Sequence, residues 1–461
     1  MFDLEEVRFI IYLILENISM IKFIFVIFFI NFILIWNKVI VFYYNICYLF
    51  SFILLFIYIY KDLVWGCIRI VFGTEYYSIF LVVLRFWIIG LIIICLSERG
   101  EELKIFIFIN LLIVLEIFFL SINLVLFYLL YEIRLIPTFF LIIYWGSNLE
   151  RLRASYYLII YMLLISFPFL IYIVDIYYYR LTSSFRLISI YIKNYIIRFL
   201  GYIIIYGSFF IKIPIYLFHI WLPKAHVEAP VYGSIILAGV LLKMGRYGLL
   251  RLLVIFINLN LKYNYLILSL RVVGRLVIRI ICLIQIDIKR LVAYSSVVHI
   301  NIILCALITI FKLRFLRGYI MIISHGLCSS GLFYIVNLFY YRTGRRLLVF
   351  NKGMIVSLPS LIIWWFLLCV SNFSFPFSLN FIREVLILIV LLNWELLLII
   401  YIVLICFFRR AYSLYLFSYV QHGGKILNNI IFNLNLIKEF IVLIIHFYPL
   451  FLFLLNLIII I

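Results

Sequence analysis

FIKIPIYLFHIWLPKAHVEAPVYGSIILAGVLLKMGRYGLLR, residues 210–251, places two lysines, Lys212 and Lys243, inside segments otherwise apolar enough for a bilayer. A lysine at the centre of a membrane helix costs roughly 2.5–3.5 kcal/mol on insertion scales, so its presence there points to a task. Pro214 follows Lys212 by two residues and removes a backbone donor, which predicts a broken or kinked helix. Such breaks persist at membrane depth only in protein-lined or watered interiors. A buried amine beside a helix break therefore predicts movement of an ion.

The rest of the chain fits that medium. Of 461 residues, 69% are hydrophobic and 12% are charged, a balance no soluble core absorbs. Apolar runs of spanning length recur at 7–36, 39–60, 78–96, 105–121 and 434–461. Hydropathy suggests about fourteen spans in all. Long polar stretches are confined to about 176–195, 341–353 and 420–430, so no soluble catalytic domain is expected. The fold class that follows is an all-α polytopic membrane protein.

The net charge of +20 comes from basic residues lying mostly in short loops and at span ends, which suits anionic lipid headgroups. No basic face is interleaved with exposed aromatics, and nucleic acid is excluded as a partner. The eight cysteines form no CxxC pair and read as small apolar fillers, without metal-ligand spacing or a haem or iron–sulfur pattern. No P-loop or GxGxxG opens a helix, and no glycine-flanked serine marks a nucleophile. The amino terminus, MFDLEEVRF, is acidic and unlike an imported transit peptide. With only seven alanines and a skew to Ile, Phe, Tyr and Leu, the composition is that of an AT-rich genome, which suggests synthesis inside an organelle.

Ionisable groups inside spans form a short set. Glu132 lies in LVLFYLLYEIRLIPTFFLIIYW, Glu384 follows Pro376 in FPFSLNFIREVLILIVLL, His325 lies in IMIISHGLCSSGLFYI and His299 in LVAYSSVVHINIILC. The histidines have a plain alternative as interhelical hydrogen-bonding residues, and the acids and lysines as structural ion pairs. Two acids and two amines on four separate spans exceed what packing needs, and together they suit a proton relay. A carboxylate and an amine in a low-dielectric interior shift each other's proton affinity, so moving one titrates the other.

The motifs YEIRLIPTFFLIIYWGSNLERLRAS (131–155), FIKIPIYLFHIWLPKAHVEAP (210–230), GSIILAGVLLKMGRYG (233–248), QIDIKRLVAYSSVVH (285–299) and SHGLCSSGLFY (324–334) resemble, in order, the subunit 4 family of respiratory NADH:ubiquinone oxidoreductase, complex I. That proton-pumping family is related to the Mrp-type cation/proton antiporters. The resemblance covers roughly residues 105–390, and the KAHVEAP wording is its most specific part.

The resemblance implies amino-terminal helices over 1–104, an antiporter-like core over 105–400, and carboxy-terminal helices over 401–461. The core would hold two inverted repeats of roughly five helices each, about 105–250 and 262–400, with broken helices at Lys212–Pro214 and Pro376–Glu384. It implies a Glu132–Lys212 pair, Lys243 as the central lysine, His325 on the polar axis with His299 as a possible further relay, and Glu384 as the terminal exchanger. It implies no redox centre in this chain; NAD, FMN, iron–sulfur clusters and ubiquinone would sit in other subunits of the complex. The implied partners are membrane-arm subunits, notably antiporter-like subunits 2 and 5, and lipids, in the mitochondrial inner membrane. An Mrp-type antiporter subunit is the alternative.

The chain departs from the family at Arg134, Arg246, Arg290 and Arg383, where small or uncharged residues are usual. Arg383, beside Glu384, would be the most consequential, since an adjacent cation favours the ionised acid. These positions are either true arginines or organellar codons read differently, as serine or glycine.

Overall fold

The computed structural model describes residues 40–59, 66–67, 72–96, 102–148, 150–180, 182–185, 187–188, 199–309, 314–376, 378–424 and 436–455. The apolar run at 7–36 and the acidic amino terminus lie outside the described residues.

Nearly all described residues are helical. In chain order the helices are α1 (Ile40–Ile59), α2 (Tyr76–Cys95), α3 (Glu102–Leu120), α4 (Leu124–Ile133), α5 (Leu135–Trp145), α6 (Arg151–Arg180), α7 (Phe199–Lys212), α8 (Trp221–Glu228), α9 (Val231–Ile236) and α10 (Leu242–Ile255). They continue with α11 (Ile257–Ile284), α12 (Ile288–Ile308), α13 (Arg314–Thr343), α14 (Met354–Ser357), α15 (Pro359–Asn372), α16 (Leu379–Trp394), α17 (Leu398–Gln421) and α18 (Ile437–Leu455). One two-residue ribbon pairs Gly66–Cys67 with Gly73–Thr74.

Eight helical segments among the described residues are long and apolar enough to cross a bilayer. Three further apolar helices, Tyr43–Leu55, Phe199–Lys212 and Pro359–Asn372, are shorter. The last two are short because the chain breaks just after Lys212 and just after Asn372. Both breaks stand beside a proline, Pro214 and Pro376, as the missing N–H requires.

The bundle is graded from centre to rim. In α13 the most apolar stretch is entirely buried and in α12 it is 94% buried, whereas in α6 only 28% is. These two central helices pack on each other, and α13 also touches α9, α15, α16 and α18. On α6, Tyr156, Ile160, Leu164, Phe167, Ile171, Val174 and Tyr178 are all exposed and recur every three or four residues, one continuous apolar face. In water such a face would aggregate; against acyl chains it is the ordinary surface of a membrane helix.

Candidate functional site

Glu132 sits one residue from the carboxyl end of α4, and Lys212 is the last residue of α7. Their charged groups meet at 2.6 Å, with the lysine side chain 1% exposed and the glutamate 16%. The ammonium also lies 3.2 Å from the centroid of the buried Tyr131 ring, so a cation–π contact shares the charge.

The break that delivers Lys212 is closed by hydrogen bonds. Pro214 cannot donate, the Ile215 N–H turns instead to the Phe210 carbonyl at 3.3 Å, and the Trp221 indole donates to the stranded Ile211 carbonyl at 3.0 Å. A buried unpaired carbonyl would be costly, so Trp221 is what makes the break tolerable. A cavity of about 20 Å³, room for one water, lies between Lys212 and His226 and is also lined by Arg134 and Thr138.

Lys243 is the second residue of α10, just after a π-helical turn at Leu237–Leu241. Such turns misalign the backbone ladder and free carbonyl groups. Lys243 donates its ammonium to the Ala238 carbonyl, and Arg134 reaches the Leu241 carbonyl at 2.7 Å. Gly239 in this turn lets α2 come close: a Cβ there would stand 2.5 Å from Ile88 Cδ1. Lys243 is fully buried.

His325 and His299 follow, on α13 and α12, with ring centroids 5.6 Å apart. Gly326, beside His325, lies against the lysine chain, since a Cβ there would stand 3.1 Å from Lys243 Cε. Both histidines are buried, and neither ring nitrogen of either has a hydrogen-bond partner among the described residues.

The second break repeats the logic of the first. Past α15, Ser374 takes a left-handed backbone with φ 64°, an unfavourable conformation for a residue with a Cβ. Its hydroxyl donates to the Glu384 carboxylate at 2.8 Å. The Ser371 carbonyl at the helix end receives the Asn380 amide at 2.5 Å, and the Asn372 carbonyl receives Arg409. Arg409 on α17 also forms an ion pair with Glu384. Arg383 points elsewhere, to the Ser324 hydroxyl at 2.9 Å, because successive helical residues face different directions.

A family profile described as NADH:quinone oxidoreductase/Mrp antiporter, TM, matches residues 121–408. A second, NADH-ubiquinone oxidoreductase chain 4, amino terminus, matches residues 20–122. NADH-ubiquinone oxidoreductase chain 4 of Ceratitis capitata is 43% identical over 384 residues, covering 82% of this chain and 85% of the relative. The chain 4 of Aedes aegypti is 46% identical over 323 residues, 70% and 72% of the two. This chain belongs to the NADH-ubiquinone oxidoreductase chain 4 family.

Its fold is shared more widely than its sequence. A chain of the respiratory complex I from Thermus thermophilus with bound NADH superposes with TM-score 0.80 at 19% identity, over 92% of each chain. A chain of the Mrp complex from Dietzia sp. gives 0.78 at 14% identity, over 89% of this chain and 81% of that one.

This chain 4 family member also holds ion pairs that were not expected from its sequence. Arg85 on α2 and Glu116 on α3 stand 3.4 Å apart with side chains 0% and 2% exposed. Arg251 pairs with Glu75 at 3.0 Å, and Arg342 pairs with Glu439. Arg85 and Glu116 each interrupt an apolar run, at 78–96 and 105–121, so the signal was one ionisable residue in the middle of a span. His226 and Arg409 were missed for another reason. The histidine sits inside a motif read for its wording, and the arginine inside a helix whose interior-facing side cannot be told from α17 alone.

Proposed function

We propose that this chain, a core membrane-arm subunit of proton-translocating NADH:ubiquinone oxidoreductase, moves protons along a buried line of Glu132, Lys212, Lys243, His325 and Glu384, with His299 as a further relay. The observation that carries the reading is the Glu132–Lys212 contact at a broken helix, since a buried ion pair at a helix end can act as a two-state element. Opening the pair leaves Lys212 without its counter-ion and favours release of its proton. That change in charge acts on Lys243, and the proton passes along the histidines to Glu384.

Each group is placed for its part. The π-turn holds Lys243 by a backbone carbonyl rather than by an acid, so losing the proton leaves no unpaired carboxylate behind. The histidine rings are held by packing, their nitrogens without hydrogen-bond partners among the described residues, which suits exchange through water. At the far end, the Glu384 carboxylate is held by the Ser374 hydroxyl and by an ion pair with Arg409.

Each half of the core, about 105–250 and 262–400, holds one of the two breaks, which supports an inverted pair of repeats. Each broken pair of short helices then counts as one span, which brings the total towards about fourteen. Subunits 2 and 5 as membrane-arm neighbours, cofactors confined to other subunits, and the mitochondrial inner membrane belong to the same reading. An Mrp-type antiporter subunit shares the fold and has one of the two profile names, but the chain 4 relatives and the amino-terminal profile favour complex I.

The test is the isolated complex in liposomes. NADH:quinone reduction that acidifies one compartment, with this chain in the assembly, supports the reading. Cation-for-proton exchange by a small assembly that does not oxidise NADH would move it to the antiporters.

A further inference from the structure

A cavity of about 320 Å³ lies between α1, α2, α13 and α18, apart from the polar line. Its inner wall includes Leu84, Trp87 and Leu327, and its rim is formed by Phe52 on α1 and Leu452 on α18. Leu84 and Leu327 are buried, whereas Phe52 is 50% exposed and Leu452 37%. The cavity therefore opens sideways, between α1 and α18, onto a surface that meets acyl chains.

The sequence builds this space with one proline and one tryptophan. Pro449 stands inside α18 and has no N–H for the Ile445 carbonyl one turn back. The Trp87 indole on α2 donates to that carbonyl instead, at 3.2 Å. Edge contacts with the rings of Tyr48 and Phe52, at 5.3 and 6.0 Å between centroids, fix the indole there. Both Pro449 and Trp87 line the cavity, and the indole donor is already spent.

Water is a poor occupant, because each buried molecule needs two to four polar partners and the described walls are apolar apart from Tyr448, itself 54% exposed. An empty space is no better, since lost packing grows with cavity volume. An apolar guest remains, and its source is the bilayer. The shape suits a lipid tail. Phe80 near the start of α2 meets Phe453 near the end of α18, with ring centroids 5.4 Å apart, and from there the walls run inward to Trp87 at mid-helix. That run is about 10 Å along α2, within the roughly 15 Å depth of one leaflet's hydrocarbon. At the roughly 30 Å³ that a water-sized group takes in a liquid, the volume holds about ten methylene groups.

We propose that this cavity binds one acyl chain of a membrane phospholipid, which enters from the leaflet at the end where α1 finishes and α2 begins. The seated chain backs the relay. Gly326 on α13 has Leu84 on one side and the central lysine on the other: a Cβ there would stand 3.4 Å from Leu84 Cδ1 and 3.1 Å from Lys243 Cε. Leu84 is thus the layer between the lipid tail and Lys243, and a filled cavity keeps water from reaching the amine from that side. The site stands on its walls and its mouth, and its failure would leave the proton-relay reading untouched.

Photolabelling of the intact complex decides it, in phosphatidylcholine liposomes containing a trace of phosphatidylcholine with a diazirine at the end of one acyl chain. Peptide mass spectrometry should find adducts on Leu84, Trp87 or Leu327, beside the ordinary lipid contacts of the exposed α6 face. Val83→Phe fills the cavity from α2, and Leu452→Trp blocks the rim without entering the core. Each should lower the inner-wall adducts by on the order of tenfold, because no room is left for the chain, while adducts on α6 stay unchanged. Absent inner-wall adducts in the native chain, the result if the apolar segment 7–36 fills the cavity instead, would overturn the proposal. Adducts that persist in both variants, or that form only with a photoreactive quinone, would overturn it as well.

Discussion

The Lys212 ammonium meets the Glu132 carboxylate at 2.6 Å while lying 3.2 Å from the centroid of the Tyr131 ring. One residue pair thus supplies a counter-ion and an aromatic face side by side. The ring keeps part of the attraction when the carboxylate withdraws, which makes the open state reachable without stranding a bare cation. In the proposed mechanism the contact acts as a switch at the end of a helix, where the backbone has already given up its regular ladder.

Glu132→Gln removes the counter-ion and leaves Lys212 buried. Breaking a buried pair on one side costs about 3–5 kcal/mol, so this variant should assemble less stably and lose coupled quinone reduction by on the order of tenfold. Adding Lys212→Met should recover the stability and not the activity. Thermal unfolding of the complex, read beside proton-coupled turnover, checks both; recovery of activity in the double variant would show that the pair only holds the fold.

Gly326→Ala sets a methyl 3.1 Å from Lys243 Cε and 3.4 Å from the Gly239 carbonyl. Either the lysine chain or the π-turn must yield by a few tenths of an ångström. The expected result is a several-fold loss of proton pumping with a stability change of about 1 kcal/mol, within the range for overpacking. Unchanged pumping would mean that the position of Lys243 is not critical.

Trp221→Phe keeps the ring and deletes the donor to the Ile211 carbonyl. An unsatisfied buried carbonyl costs about 1–3 kcal/mol, so the first break should loosen. Hydrogen exchange should quicken across 211–221 and leave 371–384 unaffected; equal protection across 211–221 in the variant and the native chain would show that Trp221 does not hold the break.

His325→Ala and His299→Ala should differ. Gly326 puts His325 beside Lys243, whereas His299 is reached only across the 5.6 Å ring-to-ring step. Pumping should fall more in His325→Ala, and the paired measurement on reconstituted complex ranks them; the reverse order would reroute the relay through α12.

Much of this was legible in the sequence because ionisable residues stand out in apolar runs. Lys212, Lys243, Glu132 and Glu384 announce themselves by context, and Pro214 and Pro376 mark where the backbone must break. What could not be read was pairing across the bundle. Arg383 adjoins Glu384 in sequence, yet the helix turns it toward Ser324, and the guanidinium that meets the acid comes from Arg409 on another helix. The π-turn before Lys243 was equally hidden, and so was the close approach of Ile88 on α2 to Gly239 within it. Single hydropathy windows also cannot show that α12 and α13 are central while α6 faces outward, since all three are apolar.

The most direct measurement is proton translocation by the complex carrying Lys243→Met in this chain, reconstituted in liposomes and driven by NADH and quinone. The account predicts intact assembly, undiminished NADH oxidation by an artificial acceptor, and coupled quinone reduction and proton movement reduced by on the order of tenfold, equivalent to about 1.4 kcal/mol of barrier. Full proton movement in that variant would contradict it, because no proton could then depend on the amine at the centre of the line.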